Sequence, residues 1–170
     1  ESLGTQQDRM SQLKQAGELA QAGKYGQAMV IYRQVFGTTP PPGDWALAYY
    51  ETESATADGR PHAITGLRAL AAKYPDDPRY QIALGRVLTY NPKTREEGRK
   101  LLASHATDPQ AEEAIRQSLL WDAANPTYGK ESRAYLSTHN DPQLAEALSN
   151  QEHGVTAEAQ AAAKTPADAR

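Results

Sequence analysis

Apolar residues along this chain recur at helical spacing, in short runs that stop at prolines. Leu84 and Leu88 lie one helical turn apart, Asn91-Pro92 interrupts the run, and Leu101 and Leu102 sit in a second helical segment. Ala63, Leu67 and Leu70 repeat that second segment one unit earlier, and Tyr32 and Val35 repeat it one unit earlier again. Ile115, Leu119, Trp121, Tyr135 and Leu136 continue the pattern in worn form. Pro40, Pro75, Pro109 and Pro142 punctuate these units at separations of 35, 34 and 33 residues. Asp77-Pro78, Asp108-Pro109 and Asp141-Pro142 each offer an N-cap acceptor followed by a proline in the first helical turn, where its missing N–H is not needed. The predicted elements are therefore helices in consecutive pairs. A last helix starts at Leu144 and Leu148, and beyond Gln151 only Val155 is large and aliphatic. Residues 151–170 read as an extension of that capping helix or as a disordered tail.

In the first unit Ala16, Leu19, Gly23, Tyr25 and Ala28 precede Tyr32, Val35 and Pro40. This order of small residue, leucine, Gly-x-Tyr turn, small residue, aromatic and closing proline resembles the tetratricopeptide repeat. Small residues at 16 and 28 let the two helices of a pair approach, and Gly23 can take the left-handed conformation that ends a helix. In the second unit Gly59 is expected to end the first helix and Pro61 to sit in the first turn of the next. The resemblance implies an all-α superhelical solenoid of antiparallel helix pairs over residues 1–150, with four repeats and the start of a capping helix. In the third unit the break at Asn91-Pro92 replaces Gly-x-Tyr, and Thr94 with Glu97 reads as a capping box for the helix that follows.

Composition agrees with helices: alanine is abundant, hydrophobic residues make up 39%, and mean hydropathy is -0.73. A net charge of -3 provides no general attraction to nucleic acid or anionic membranes. No apolar run approaches the length of a bilayer span, so direct membrane insertion is not expected. Cysteine is absent, which removes disulfides and thiolate metal sites. The chain opens at Glu1 without a methionine or a signal-like segment and reads as a processed or excised piece.

Candidate chemistry is sparse. His62, His105, His139 and His153 are far apart in sequence and lack a histidine or cysteine at metal-ligand spacing. Glu96 and Glu97 are adjacent and point in different directions from a helix. No nucleophile and base combination and no glycine-rich phosphate loop is recognisable, so the expectation is a protein that is not an enzyme and takes no cofactor or metal. Stacked helical pairs instead present a concave surface, lined by the first helices. Register with the repeat places Arg79, Ile82, Arg86, Thr89 and Tyr90 on that side, with Trp45 and Tyr49 as further binding candidates from the second unit beside Tyr50. Arginine forks and aromatic rings suit carboxylates, sugars and peptide groups. The lysine and asparagine with which some repeats grip a terminal carboxylate are replaced here by Leu13 and Gly17. Basic residues from Arg79 to Lys100 divide between that surface and a group of Lys93, Arg95, Arg99 and Lys100 on the turn and second helix.

The run Leu84-Gly85-Arg86-Val87-Leu88-Thr89-Tyr90-Asn91-Pro92-Lys93-Thr94-Arg95 is more specific than the generic repeat. Taken with Asp76-Asp77-Pro78-Arg79-Tyr80 and with Val35-Phe36-Gly37-Thr38-Thr39-Pro40 before Trp45, it resembles the periplasmic repeats of bacterial cellulose synthase operon protein C. The resemblance implies a periplasmic scaffold between an inner-membrane synthase and an outer-membrane pore formed by a barrel outside this segment. Partners implied are cellulose synthase complex subunits, peptidoglycan or nascent cellulose. Two alternatives remain, a glycan-binding module and a generic peptide-binding repeat protein.

Overall fold

In the computed structural model, residues 2–125, 127 and 129–164 are described, with side chains described up to residue 153. Of the expected tail, residues 165–170 lie outside the described residues, as does the side chain of Val155. The described residues form nine helices and no strand: α1 (Leu3–Gln21), α2 (Tyr25–Phe36), α3 (Asp44–Ser54), α4 (Arg60–Lys73), α5 (Pro78–Leu88), α6 (Arg95–Ala103), α7 (Pro109–Ala123), α8 (Gly129–Leu136) and α9 (Pro142–Lys164). The all-α expectation holds. Two compact units are formed, Glu1–Ala111 and Glu112–Arg170.

In the first unit, α1 packs on α2, α3 on α4 and α5 on α6, and each pair also touches the next. Ala16 and Ala28 are fully buried, and the first pair encloses Leu13, Met29 and Tyr32. Gly23 has φ 76 and ends α1 as expected. The loop between α2 and α3 is held at both ends by tyrosines from the core. Tyr49 donates its hydroxyl to the Gly37 carbonyl at 2.8 Å, and the Gly43 N–H donates to the Tyr80 hydroxyl at 2.6 Å. Both glycines are left-handed, with φ 70 and 101, so this loop geometry depends on them. In the third pair the helices meet at Gly85 and Gly98: a Cβ on Gly98 would lie 2.6 Å from the Gly85 carbonyl oxygen. Only glycine permits that approach.

Gly59 serves a different purpose from the one expected. Helix α3 already ends at Ser54, and Gly59 has ordinary right-handed angles, φ -86 and ψ -19, immediately before α4. A Cβ there would sit 2.4 Å from Thr56 Oγ1 and 2.7 Å from the Glu53 carbonyl, so space is what requires glycine. The capping box at Thr94 and Glu97 is also corrected. Thr94 donates its hydroxyl to the Leu88 carbonyl at 2.6 Å, and Glu97 pairs with Arg68 of α4 at 2.7 Å. Carbonyls left open at the end of α5 compete successfully for that hydroxyl.

The three Asp-Pro helix starts form as predicted. Asp77 accepts from the Arg79 N–H at 3.1 Å, Asp108 from Gln110 at 2.8 Å and Asp141 from Leu144 at 3.1 Å. In the second unit Leu119, Ala123, Leu144 and Leu148 form the core, and Ser132 of α8 donates to the Leu119 carbonyl of α7 at 2.8 Å. Among the described residues no helix is long and apolar enough to cross a membrane, and no group of three or more acidic or histidine residues could hold a metal ion.

Candidate binding surface

Helix pairs two and three are built in a shared register of 35 residues. Arg60, the first residue of α4, donates Nε to the Ser54 carbonyl at 2.9 Å, and Arg95, the first residue of α6, donates Nε to the Thr89 carbonyl at 2.7 Å. Each arginine reaches back across its turn and satisfies a carbonyl at the end of the preceding helix. The same offset links the first helices of these pairs. Arg79 of α5 meets Asp44 of α3 at 2.5 Å, and Arg86 meets Glu51 at 3.5 Å. Two turns of helix separate the two rungs, so both lie on one face.

The rungs differ in strength. Arg79 also binds Asp77, with Nη2 to Oδ2 at 2.9 Å and Nε to Oδ1 at 3.1 Å. Those hydrogen bonds raise the Arg79 guanidinium above its ordinary value, Asp77 contributing most and Asp44 next. They also hold the Asp77 carboxyl below the usual carboxylate range. Arg86 is held less closely. Beyond the long contact with Glu51 it donates to the Gln110 side-chain carbonyl at 3.2 Å, a neutral partner. Burial pushes the Glu51 carboxyl up, and Arg86 opposes that push.

Tyr90 stands beside the second rung. The Arg60 guanidinium lies 5.5 Å from its ring centroid, a cation–π arrangement. Its phenol is pushed up chiefly by burial, while Arg86 and Arg60 act downward and Glu51 and Tyr25 upward. Side chains from the starts of α2 and α4, from α3 and α5, and from the turn after α5 thus converge on one patch.

The predicted site residues separate on this surface. Arg79, Arg86 and Tyr90 lie at the rungs. Trp45 is half-buried, tilted against Phe36 at 6.1 Å, and lines a groove of about 410 Å³ with Arg9, Met10, Leu13 and Pro41. Tyr49 has 0% exposure, packed between Tyr32 and Tyr50, and no ligand reaches it with the unit closed. Ile82 and Thr89 are corrected from surface to interior: both are buried, because α5 packs against α3, α4 and α6 and leaves only a narrow exposed strip. Arg95, grouped by sequence with Lys93, Arg99 and Lys100 on the turn and second helix, is buried under its own cap. Glu51, Arg60, Tyr25 and Gln110 were missed by sequence reading. The 35-residue register was the available signal for two of them, since it leads from Arg86 to Glu51 and from Arg95 to Arg60.

Curated relatives align with this chain over most of its length. Cellulose synthase operon protein C of Xanthomonas axonopodis pv. citri (strain 306) is 35% identical over 163 residues, covering 93% of this chain and 10% of the relative. The chain is homologous to a segment of cellulose synthase operon protein C. The Pseudomonas fluorescens (strain SBW25) operon protein C is 34% identical over 149 residues, covering 84% of this chain and 12% of the relative. That of Komagataeibacter xylinus is 34% identical over 145 residues, covering 80% and 11%. The chain spans about a tenth of the length of the operon protein C relatives it matches. No family model and no solved structure matches it. A likeness to operon protein C that covers 93% of the chain takes in residues of both compact units.

Proposed function

We propose that this chain is a non-catalytic scaffold segment of a bacterial cellulose synthesis and export complex, a tetratricopeptide-repeat array that works in the periplasm by holding a protein partner of the synthase. The observation that carries this reading is the 35% identity to operon protein C over 163 residues. Its physical support is the patch of Arg60, Arg86, Glu51 and Tyr90, where charged and aromatic side chains from several helices meet at a partly exposed surface. Replacing both Arg86 and Tyr90 by alanine in the intact parent protein should abolish pull-down of one synthase component while protein level is kept. Full retention of every component would remove the patch from the scaffold reading. Fractionation of the parent into periplasm and outer membrane is expected, and recovery in the cytoplasm would overturn the assignment of place.

A second reading, glycan binding, is favoured by the planar polar side chains of Arg86, Glu51 and Gln110 beside Tyr90 and by the aromatic groove at Trp45. It predicts chemical-shift changes at Tyr90 or Trp45 with cello-oligosaccharide or peptidoglycan fragments. Silence at millimolar ligand would remove it.

A further inference from the structure

We infer that the patch around Tyr90 is a carboxylate-recognition site, at which Arg86 and Arg60 take an acidic side chain of an extended partner peptide in place of this chain's own Glu51. The inference deepens the scaffold reading by naming the chemistry of the partner, and rests on it only in that the occupant is a protein segment.

Three observations support it. First, charge is out of balance. Arg60 and Arg86 both face this patch, and among their partners only Glu51 is an acid. Second, the acid present is poorly held. Arg79, one rung away, has carboxylates at 2.5 and 2.9 Å, whereas Arg86 has Glu51 at 3.5 Å and then a neutral amide. Arg60 is engaged by a carbonyl and a ring face, both neutral. A guanidinium gains most from a close, two-pronged carboxylate, and neither arginine has one here. Third, access is open. The Glu51 side chain is 42% exposed, so it can turn outward without unpacking α3, and Tyr25 at 40% exposure borders the same patch. A ligand carboxylate that entered would gain two charge-assisted partners.

The probe is hexaglutamate, titrated into the folded chain by NMR and calorimetry. Binding should move Tyr90 and Arg86 resonances and should weaken as salt is raised to about 0.5 M. Arg86→Gln should weaken it roughly tenfold, as expected for loss of one charge-assisted pair. Glu51→Gln should tighten binding several-fold, because it removes the competing internal acid without changing shape. The sign of the Glu51→Gln effect is decisive. Cellohexaose binding that is insensitive to salt and weakened by Glu51→Gln would replace the inference with the glycan reading. Absence of hexaglutamate binding by a chain whose helical circular dichroism is intact would also overturn it. Either result leaves the scaffold reading to its own pull-down test. If instead the pull-down ignores Arg86 and Tyr90 while hexaglutamate binds as described, the patch is removed from the scaffold reading and the carboxylate site stands.

Discussion

Helices α1 and α2 are joined by three residues, Ala22 to Lys24, and helices α5 and α6 by six, Thr89 to Thr94. The short connection closes on itself. Gly23 turns left-handed, the Gly23 N–H donates to Ala20 and the Lys24 N–H to Leu19, so backbone satisfies backbone. The long connection has no residue at positive φ and relies on side chains. Thr94 serves the Leu88 carbonyl, Arg95 serves Thr89, and Asn91 accepts from the Lys93 N–H at 2.9 Å. The α3–α4 connection is of the second kind, with Thr56 on the Glu53 carbonyl at 2.7 Å and Arg60 on Ser54. Where the turn backbone does not return to the last carbonyls of a helix, side chains that follow the turn are drawn back to satisfy them. Each such turn therefore brings charged and polar residues to the same end of its helix pair. The patch at Tyr90 is a product of that geometry, with Arg60 capping one turn and Tyr90 belonging to the next.

The pairs also differ in how close their helices come, and this gives the largest expected effect. Gly98→Ala should destabilise the chain by about 3 kcal/mol, since the new methyl meets the Gly85 backbone oxygen and the Leu88 Cβ and cannot be relieved by a side-chain rotation. Gly17→Ala in α1 has nothing within 4 Å and should stabilise by roughly 0.5 to 1 kcal/mol. Urea unfolding of both variants tests the contrast. A Gly98→Ala protein of unchanged midpoint would mean that α5 and α6 do not meet at these glycines.

Next in size is the long turn itself. Arg95→Met keeps the buried stem and deletes the donor to Thr89, leaving that carbonyl without its cap, for a loss of about 2 kcal/mol. The corresponding disruption of the short turn is smaller. Gly23→Ala forces an L-residue to φ 76 and should cost about 1 kcal/mol, with no partner lost. If Gly23→Ala proved the more damaging of the two, the division between backbone-closed and side-chain-closed turns would be wrong.

Much of this architecture is legible in the chain, and the illegible part has a common cause. Asp-Pro dipeptides announce helix starts because both residues act locally, through one N–H and one fixed φ. Gly23 is legible for the same reason. Thr94 is not, because a threonine hydroxyl before a helix can accept from the helix it precedes or donate to the one behind it. Only the presence of open carbonyls at Leu88 decides which. Arg95 reads as one of a basic group with Lys93, Arg99 and Lys100, and its burial depends on where the α5 carbonyls fall. Tyr49 and Trp45 belong to one aromatic run, yet tertiary packing buries the first completely and leaves the second at a groove. Arg79 and Arg86 of the candidate site were visible, whereas Arg60 and the acids that face the two arginines are set by pairing across a neighbouring repeat. Arg79–Asp44 and Arg86–Glu51 become visible once a 35-residue offset is applied.

Helix starts provide the smallest contrast, and it is one of pH. Asp77 and Asp141 occupy the same place before α5 and α9, and arginine hydrogen bonds hold both carboxyls below the usual range, from Arg79 and Arg116 respectively. Asp141 is the more enclosed, its side chain 10% exposed against 28%. Arg116 Nε reaches it at 2.7 Å while the Leu144 N–H donates to its other oxygen. A carboxyl whose folded pKa is depressed stabilises the fold above its unfolded pKa, and that contribution disappears as pH falls through the lower, folded value. Asp141→Asn retains an acceptor for the helix start but loses the charge, so near neutrality it should reduce stability by on the order of 1 kcal/mol. The gap between wild type and Asp141→Asn should then narrow as the solution is taken from neutral to about pH 3, because only wild type still has a charge to lose. Asp77→Asn should show a smaller gap with the same sign, since water already screens that pair. Urea midpoints measured across this range would separate the two sites, and an Asp141→Asn gap that stayed constant down to acid would show that the Arg116 pair contributes nothing through its charge.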